Sequence, residues 1–332
     1  MAALSDQLLV VAILGYLAAM LLAAAAYAFG GRGAVARAAA RPARERELVG
    51  AALVGRGEGT ARDHQPEAPA RGSNQPEAAG GARAAWLGPA TVGVFALAAV
   101  AHLATAVTRG LAAGRMPWGN MYEYVLSVTL VGAVAWLALA VRRPALRHLG
   151  LYVALVLALL LGLTGMVLYV PVGPLMPALN SYWFLIHVSS ASLASGTLLV
   201  GFVAAALFLL RSRYENGKLP PHSLARRLPA ADTLEALAFR LHAFAFPIWT
   251  FAIAAGAIWA EAAWGRYWGW DPKETWAFIS WVVYAGYLHA RLTPSVKRNV
   301  AAWIAVVGWL TMMMNLFGVN IFFEGLHSYA GV

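Results

Sequence analysis

The chain contains no cysteine. That excludes a disulfide framework, a thiolate metal site and a thiol nucleophile, so any chemistry needing a thiol must take it from a partner or a substrate. Charge is scarce as well: 12% of the 332 residues are Asp, Glu, Lys or Arg, against 61% hydrophobic. A soluble domain sits nearer half apolar and a quarter charged, so the composition places the chain in a bilayer. Acids are the scarcest charges, 15 against 25 bases. Few of them fall within apolar runs, which disfavours a transporter for a small polar solute. No internal repeat is evident, and that argues in the same direction. The first apolar run, from about Gln7 to Phe29, lacks a basic leading region and a clear cleavage site, so it reads as a retained span.

Crossing the hydrocarbon core takes about 20 apolar residues per helix. Eight runs qualify: 7–29, 86–108, 120–141, 149–170, 183–210, 236–260, 275–291 and 299–322. The sequence therefore predicts an all-α polytopic integral membrane protein of about eight transmembrane helices. The net charge of +10 is not a nucleic-acid footprint, because the bases lie in the connections between spans. Segments 30–85, 142–148, 211–234 and 291–298 hold 20 of the 25 Lys and Arg, whereas 109–119, 171–182, 261–274 and the C-terminal tail hold four. Under the positive-inside rule the first set is cytoplasmic and both termini face the extracytoplasmic side of the plasma membrane. Segment 30–85 is rich in Ala, Gly, Arg, Pro and Glu and poor in aromatics. It reads as a disordered cytoplasmic linker between a first helix, 1–29, and a seven-helix membrane domain, 86–332.

The densest feature is the outer segment 261–276, where four tryptophans and a tyrosine fall between Trp264 and Trp276. Such a cluster is either a membrane-interface belt or a platform for a flat aromatic ligand. The two glycines, the Asp271-Pro272 turn and the interspersed charges exceed what a belt requires. The histidines sharpen the choice. His64, His148 and His222 lie in cytoplasmic connections and read as solvated. His187, near the start of the fifth span, and His327, after the eighth, flank the aromatic run and share its side. Two imidazoles converging from opposite faces suit the axial positions of a haem iron, although for either alone a packing role is the plainer reading. His289 lies roughly 27 Å deeper than Asp271, at the cytoplasmic end of the seventh span, where an ionisable group is usually functional. His102 lies in the outer half of the second span, and His242 is the internal candidate at a depth comparable to that of His289. Asp271 and Glu274 are also placed to cap the seventh span, an alternative to direct contact with a ligand.

Trp264 to Glu274 resembles the W-G-x-x-W-x-W-D ("WWD") signature of haem-handling proteins in cytochrome c biogenesis, of the CcsA (ResC) type and related to CcmC and CcmF. Pro117 to Tyr124, Phe246-Pro247, Tyr287 to Arg291 and Leu326 to Tyr329 fit the same family, so the likeness covers roughly 86–332. The resemblance implies that haem b is carried across the membrane as cargo and presented to an apocytochrome c with a C-x-x-C-H motif. The chain would be the haem-binding subunit of a cytochrome c synthase (haem lyase) complex, served by a thiol reductant pathway. It further implies that His187 and His327 are outer axial ligands. His289 becomes one ligand of a transmembrane haem site whose second ligand comes from a ResB-type partner. Trp264, Trp268 and Trp270 would wall the porphyrin beside Asp271, and Arg266 or Lys273 would pair with its propionates. The alternative is a bis-histidine b-type electron carrier, which uses the same ligands and keeps its haem.

Overall fold

The computed structural model describes residues 1–29 and 86–327; the expected linker 30–85 and the tail from Ser328 onward lie outside the described residues. Among the described residues the regular structure is entirely helical. The long helices are α1 (Ala2–Phe29), α2 (Leu87–Ala113), α3 (Met121–Arg142), α4 (Gly150–Val167), α5 (Tyr182–Glu215), α6 (Ala231–Trp264), α7 (Pro272–Leu292) and α8 (Arg298–Met313). One π turn, Met314–Gly318, and a last helical turn, Val319–Phe322, extend α8.

Seven of these helices are long and apolar enough to cross a membrane. The eighth expected span, 275–291, forms as the helix α7 but is not among the seven. Its first turn carries Lys273 and Glu274 and its last carries His289 and Arg291, so polar residues dilute a short apolar stretch. α5 and α6 each run to 34 residues, longer than the apolar runs that foretold them: α5 continues by a polar turn at the basic end, and α6 by about one turn at each end.

Local chemistry sets the helix ends. The Asn120 side chain caps α3 by accepting the Glu123 N–H at 2.9 Å, and Ser181 caps α5. α6 stops where Gly265 adopts φ 71°, a left-handed conformation that costs glycine nothing. Asp271 then opens α7 with a capping box. Its side chain accepts the Lys273 N–H while Glu274 reaches back to the Asp271 N–H at 3.1 Å, and Pro272 occupies the first helical position.

α1, α2 and α4 pack together on one side, α5 to α8 on the other, and α3 joins the two groups through α4 and α5. The connections sort to two ends. At one end Arg115 reaches the Gly173 carbonyl, the Trp259 indole N–H reaches the Ala178 carbonyl, and Leu326 bonds Asp271. At the other, Arg211 binds the Ala225 and Arg226 carbonyls and Arg291 pairs with Glu235. Buried charge at the first end is paired. Glu123 is fully buried and takes Arg109 at 2.9 Å, Arg115 at 2.8 Å and the Gly119 N–H at 2.7 Å. That clasp fixes the segment carrying Trp118 between α2 and α3.

Candidate functional site

At the end of the bundle that carries the tryptophan-rich turn, α3, α5, α6, α7 and the end of α8 enclose a cavity of about 180 Å³. A single water needs only about 10–15 Å³ on the same measure, so the space admits a ligand far larger than solvent. Its walls are mostly apolar and aromatic, as small-molecule sites are.

His187 projects into this cavity one turn into α5. Its Nδ1 lies 2.8 Å from the Ala252 carbonyl oxygen. A carbonyl can only accept, so Nδ1 carries the proton and Nε2 keeps its lone pair. The ring fits against α6 because residue 256 is glycine; a Cβ there would stand 2.7 Å from Nδ1. His327 reaches the cavity from the chain following α8. Its Nδ1 donates to Asp271 Oδ2 at 2.9 Å, and Asp271 Oδ1 accepts the Leu326 N–H at 2.7 Å. Asp271 thus caps α7 and holds the tail from beneath, without itself lining the cavity. Burial works against its charge, but the bonds from His327, Leu326 and Lys273 outweigh this and keep the carboxyl below its usual range. Burial, aided by the Lys273 charge, pulls the His327 imidazole below its ordinary value against the pull of Asp271, so it is neutral at pH 7. An imidazole held through Nδ1 ligates through Nε2. One histidine held by a carbonyl and one by a carboxylate are the two arrangements that orient metal-binding histidines.

Trp259 links the pair. His187 stacks on its ring at 5.9 Å with an interplanar angle of 16°, and His327 meets it edge-on at 5.8 Å. The two imidazoles are therefore less than 12 Å apart, centre to centre. Trp264 packs on both Trp259 and His327 at 4.9 Å. Trp268 and Trp118 belong to the same aromatic lining, with Trp249 and Trp309 deeper in the bundle. Among the described residues no cluster of three or more His, Cys, Asp or Glu could hold a bare metal ion. Two imidazoles lining one cavity instead suit a metal that arrives with its equatorial donors already in place.

Lys273 also faces the cavity, its Nζ 3.4 Å from the Asn315 carbonyl and 3.6 Å from Met121 Sδ. Burial lowers its pKa to about 8, partly countered by Asp271. Of the other residues expected at the site, Arg266 lies back over Gly269, where a Cβ would collide with its guanidinium. Trp270 takes φ 58° and is 66% exposed, packed edge-on against Trp268 and Phe278 outside the cavity. His289 is exposed near the far end of α7, away from the cavity. His242 is not brought to it: its Nδ1 donates to the Ala238 carbonyl and its ring packs on Tyr284 and Tyr287. His102 is buried against Tyr16, outside the cavity. Sequence reasoning passed over Trp259, Gly256 and Asn315. Gly256 left the one faint signal, a glycine inside a long apolar run; that it faces His187 emerges only from the packing of α5 on α6.

Comparison with known proteins places this chain among relatives. A family model described as "Cytochrome C assembly protein" matches residues 118–327, which include every cavity residue named above. The "Cytochrome c biogenesis protein CcsA" of Guillardia theta is 40% identical over 170 residues, covering 47% of this chain and 56% of its own length. The Chlamydomonas reinhardtii protein of that name is 42% identical over 156 residues, covering 47% and 43%. That of Synechocystis sp. is 31% identical over 297 residues, covering 74% and 89%. The chain therefore spans about half the length of the first two and most of the third.

Proposed function

The chain belongs to the cytochrome c assembly family, and from that premise we propose that it delivers haem b across the membrane and presents it to apocytochrome c. The cavity is the presentation site, with His187 and His327 as axial ligands of the iron. The observation that carries this proposal is the matched pair of imidazoles on Trp259, each fixed at Nδ1 so that Nε2 serves the metal. Trp264, Trp268 and Trp118 provide walls for a flat macrocycle.

The chain's task in the reaction is positioning. Each thiol of the C-x-x-C-H segment adds across a haem vinyl group: sulfur bonds to one vinyl carbon and the proton goes to the other, with no net oxidation. Both thiols come from the apocytochrome, in keeping with a chain that has none. A thiol reductant pathway keeps them reduced. The substrate's own histidine then replaces His187 or His327 on the iron.

His289 serves an earlier transmembrane site. Its exposure on α7, a helix less apolar than its neighbours, suits a second ligand supplied by a ResB-type partner. The tryptophan-rich end faces the extracytoplasmic side of the plasma membrane, since the opposite connections carry the excess of Lys and Arg.

Turnover tests the proposal. The complex, loaded with haem and given a reduced C-x-x-C-H peptide, should transfer haem to a thioether-linked product. Haem that remains bound through many equivalents of peptide would instead mark a stationary b-type electron carrier.

A further inference from the structure

The cavity lining is mostly apolar, and besides the two imidazoles its polar side chains include Asn120, Ser195, Glu274, Lys273 and Asn315. Glu274 is engaged by the Gly269 and Asp271 N–H groups, whereas Lys273 and Asn315 meet at one corner. The ammonium of Lys273 there has only weak partners, a thioether at 3.6 Å and a backbone carbonyl at 3.4 Å. An ammonium has three donors, and a buried one is costly unless a charged or strong acceptor meets it. Asn315 lines the same corner, and its Oδ1 is buried with no partner. Buried acceptors are almost always satisfied, so an orphan beside an under-coordinated cation calls for an explanation. The backbone adds another. Asn315 sits in the π turn Met314–Gly318, a rare interruption of a helix that is frequent at functional sites.

Given haem as the cargo, which rests on the function proposed above, we propose that Lys273 and Asn315 form a carboxylate subsite that selects cargo bearing a free propionate. The carboxylate takes the ammonium of Lys273 as its charged partner. The Asn315 amide turns about its last, broad torsion so that its NH2 donates to the same carboxylate. Arg266 takes no part, because its guanidinium is folded over Gly269. The subsite fixes the rotation of the macrocycle in its own plane, which two axial ligands alone leave open. It therefore sets which edge of the ring faces the substrate.

The probes are haem b and haem b dimethyl ester, whose propionates are blocked, each titrated into the full-length protein with its partner. The wild type should bind haem more tightly than the ester. Lys273→Met should reduce that preference about ten- to a hundredfold, as expected for a charge-assisted bond. Asn315→Leu should reduce it by a few-fold, and Arg266→Met should leave it unchanged. Ester affinity reports folding within each variant and should stay near the wild-type value. Lys273→Arg, which keeps the charge, should retain most of the preference. An acid-over-ester preference that survives Lys273→Met, with His187/His327 ligation spectra intact, overturns the subsite while leaving the function standing. Wild-type protein that binds both probes without ligation by those histidines overturns both.

Discussion

Gly256 offers a clean perturbation of the site, because its replacement removes no group that would itself bind a ligand. In Gly256→Ala the new Cβ would lie 2.7 Å from His187 Nδ1 and 2.8 Å from its Cε1, where ordinary contact begins at 3.4 Å. The ring must retreat by about 0.7 Å. It moves away from α6, so the bond from Nδ1 to the Ala252 carbonyl, now 2.8 Å, stretches beyond useful length. Overpacking costs about 1–3 kcal/mol and the lost bond about 0.5–1.5 kcal/mol. Alanine returns about 0.5–1 kcal/mol through better helix formation. The fold therefore loses at most a few kcal/mol, while the ligand loses both its position and its fixed tautomer. A displacement of this size, set against a metal–nitrogen bond of about 2 Å, removes one axial ligand. The assay is haem titration followed by absorption spectroscopy in mild detergent. Wild type should give a six-coordinate low-spin spectrum and Gly256→Ala a high-spin one with weakened binding. Gly162→Ala in α4, where a Cβ would meet nothing within 4 Å, is the control and should behave as wild type. A Gly256→Ala protein with an unchanged low-spin spectrum and affinity within twofold of wild type would refute the reasoning.

Other outcomes follow from the same geometry. Glu123→Ala leaves Arg109 and Arg115 without their shared carboxylate, where Arg109 is 1% exposed; that should cost about 3–5 kcal/mol, read as earlier aggregation on heating in detergent. Asp271→Ala removes both the cap of α7 and the partner of His327, so low-spin haem should fall more than protein yield does, as spectra normalised to protein will report. The folded His327 titrates below its ordinary value, so the neutral ligand is fully present above about pH 6.5 and is lost as pH falls through the lowered value. Haem retention measured against pH should accordingly drop on the acid side and stay level from neutral upward. His289→Ala, at an exposed position, should leave the fold intact while reducing the haem found in the cavity after expression.

The helices were legible because a bilayer demands long apolar runs, and each run produced one. One end was legible, the start of α7, where Asp271 and Glu274 read as caps; the Gly265 stop of α6 was not read, and that span was expected to end at 260. The aromatic turn announced a site, yet its spacing could not say which way each ring points. Trp270 is thrown outward by a left-handed backbone, whereas Trp259, lacking any local signal, becomes the ring that both histidines touch. Asp271 was readable as a cap but not as the anchor of a residue 56 positions later, since that contact depends on how α8 delivers the tail. Asn315 was invisible for the same reason: a π turn has no dependable sequence mark.

The most direct test of haem ligation by His187 and His327 is the absorption spectrum of the complex, purified from a haem-replete host, in wild type and in the His187→Ala/His327→Ala double variant. A low-spin signal in the wild type that collapses in the double variant is the predicted result. A double variant with wild-type haem content and an identical spectrum would contradict it and return the tryptophans to the membrane interface.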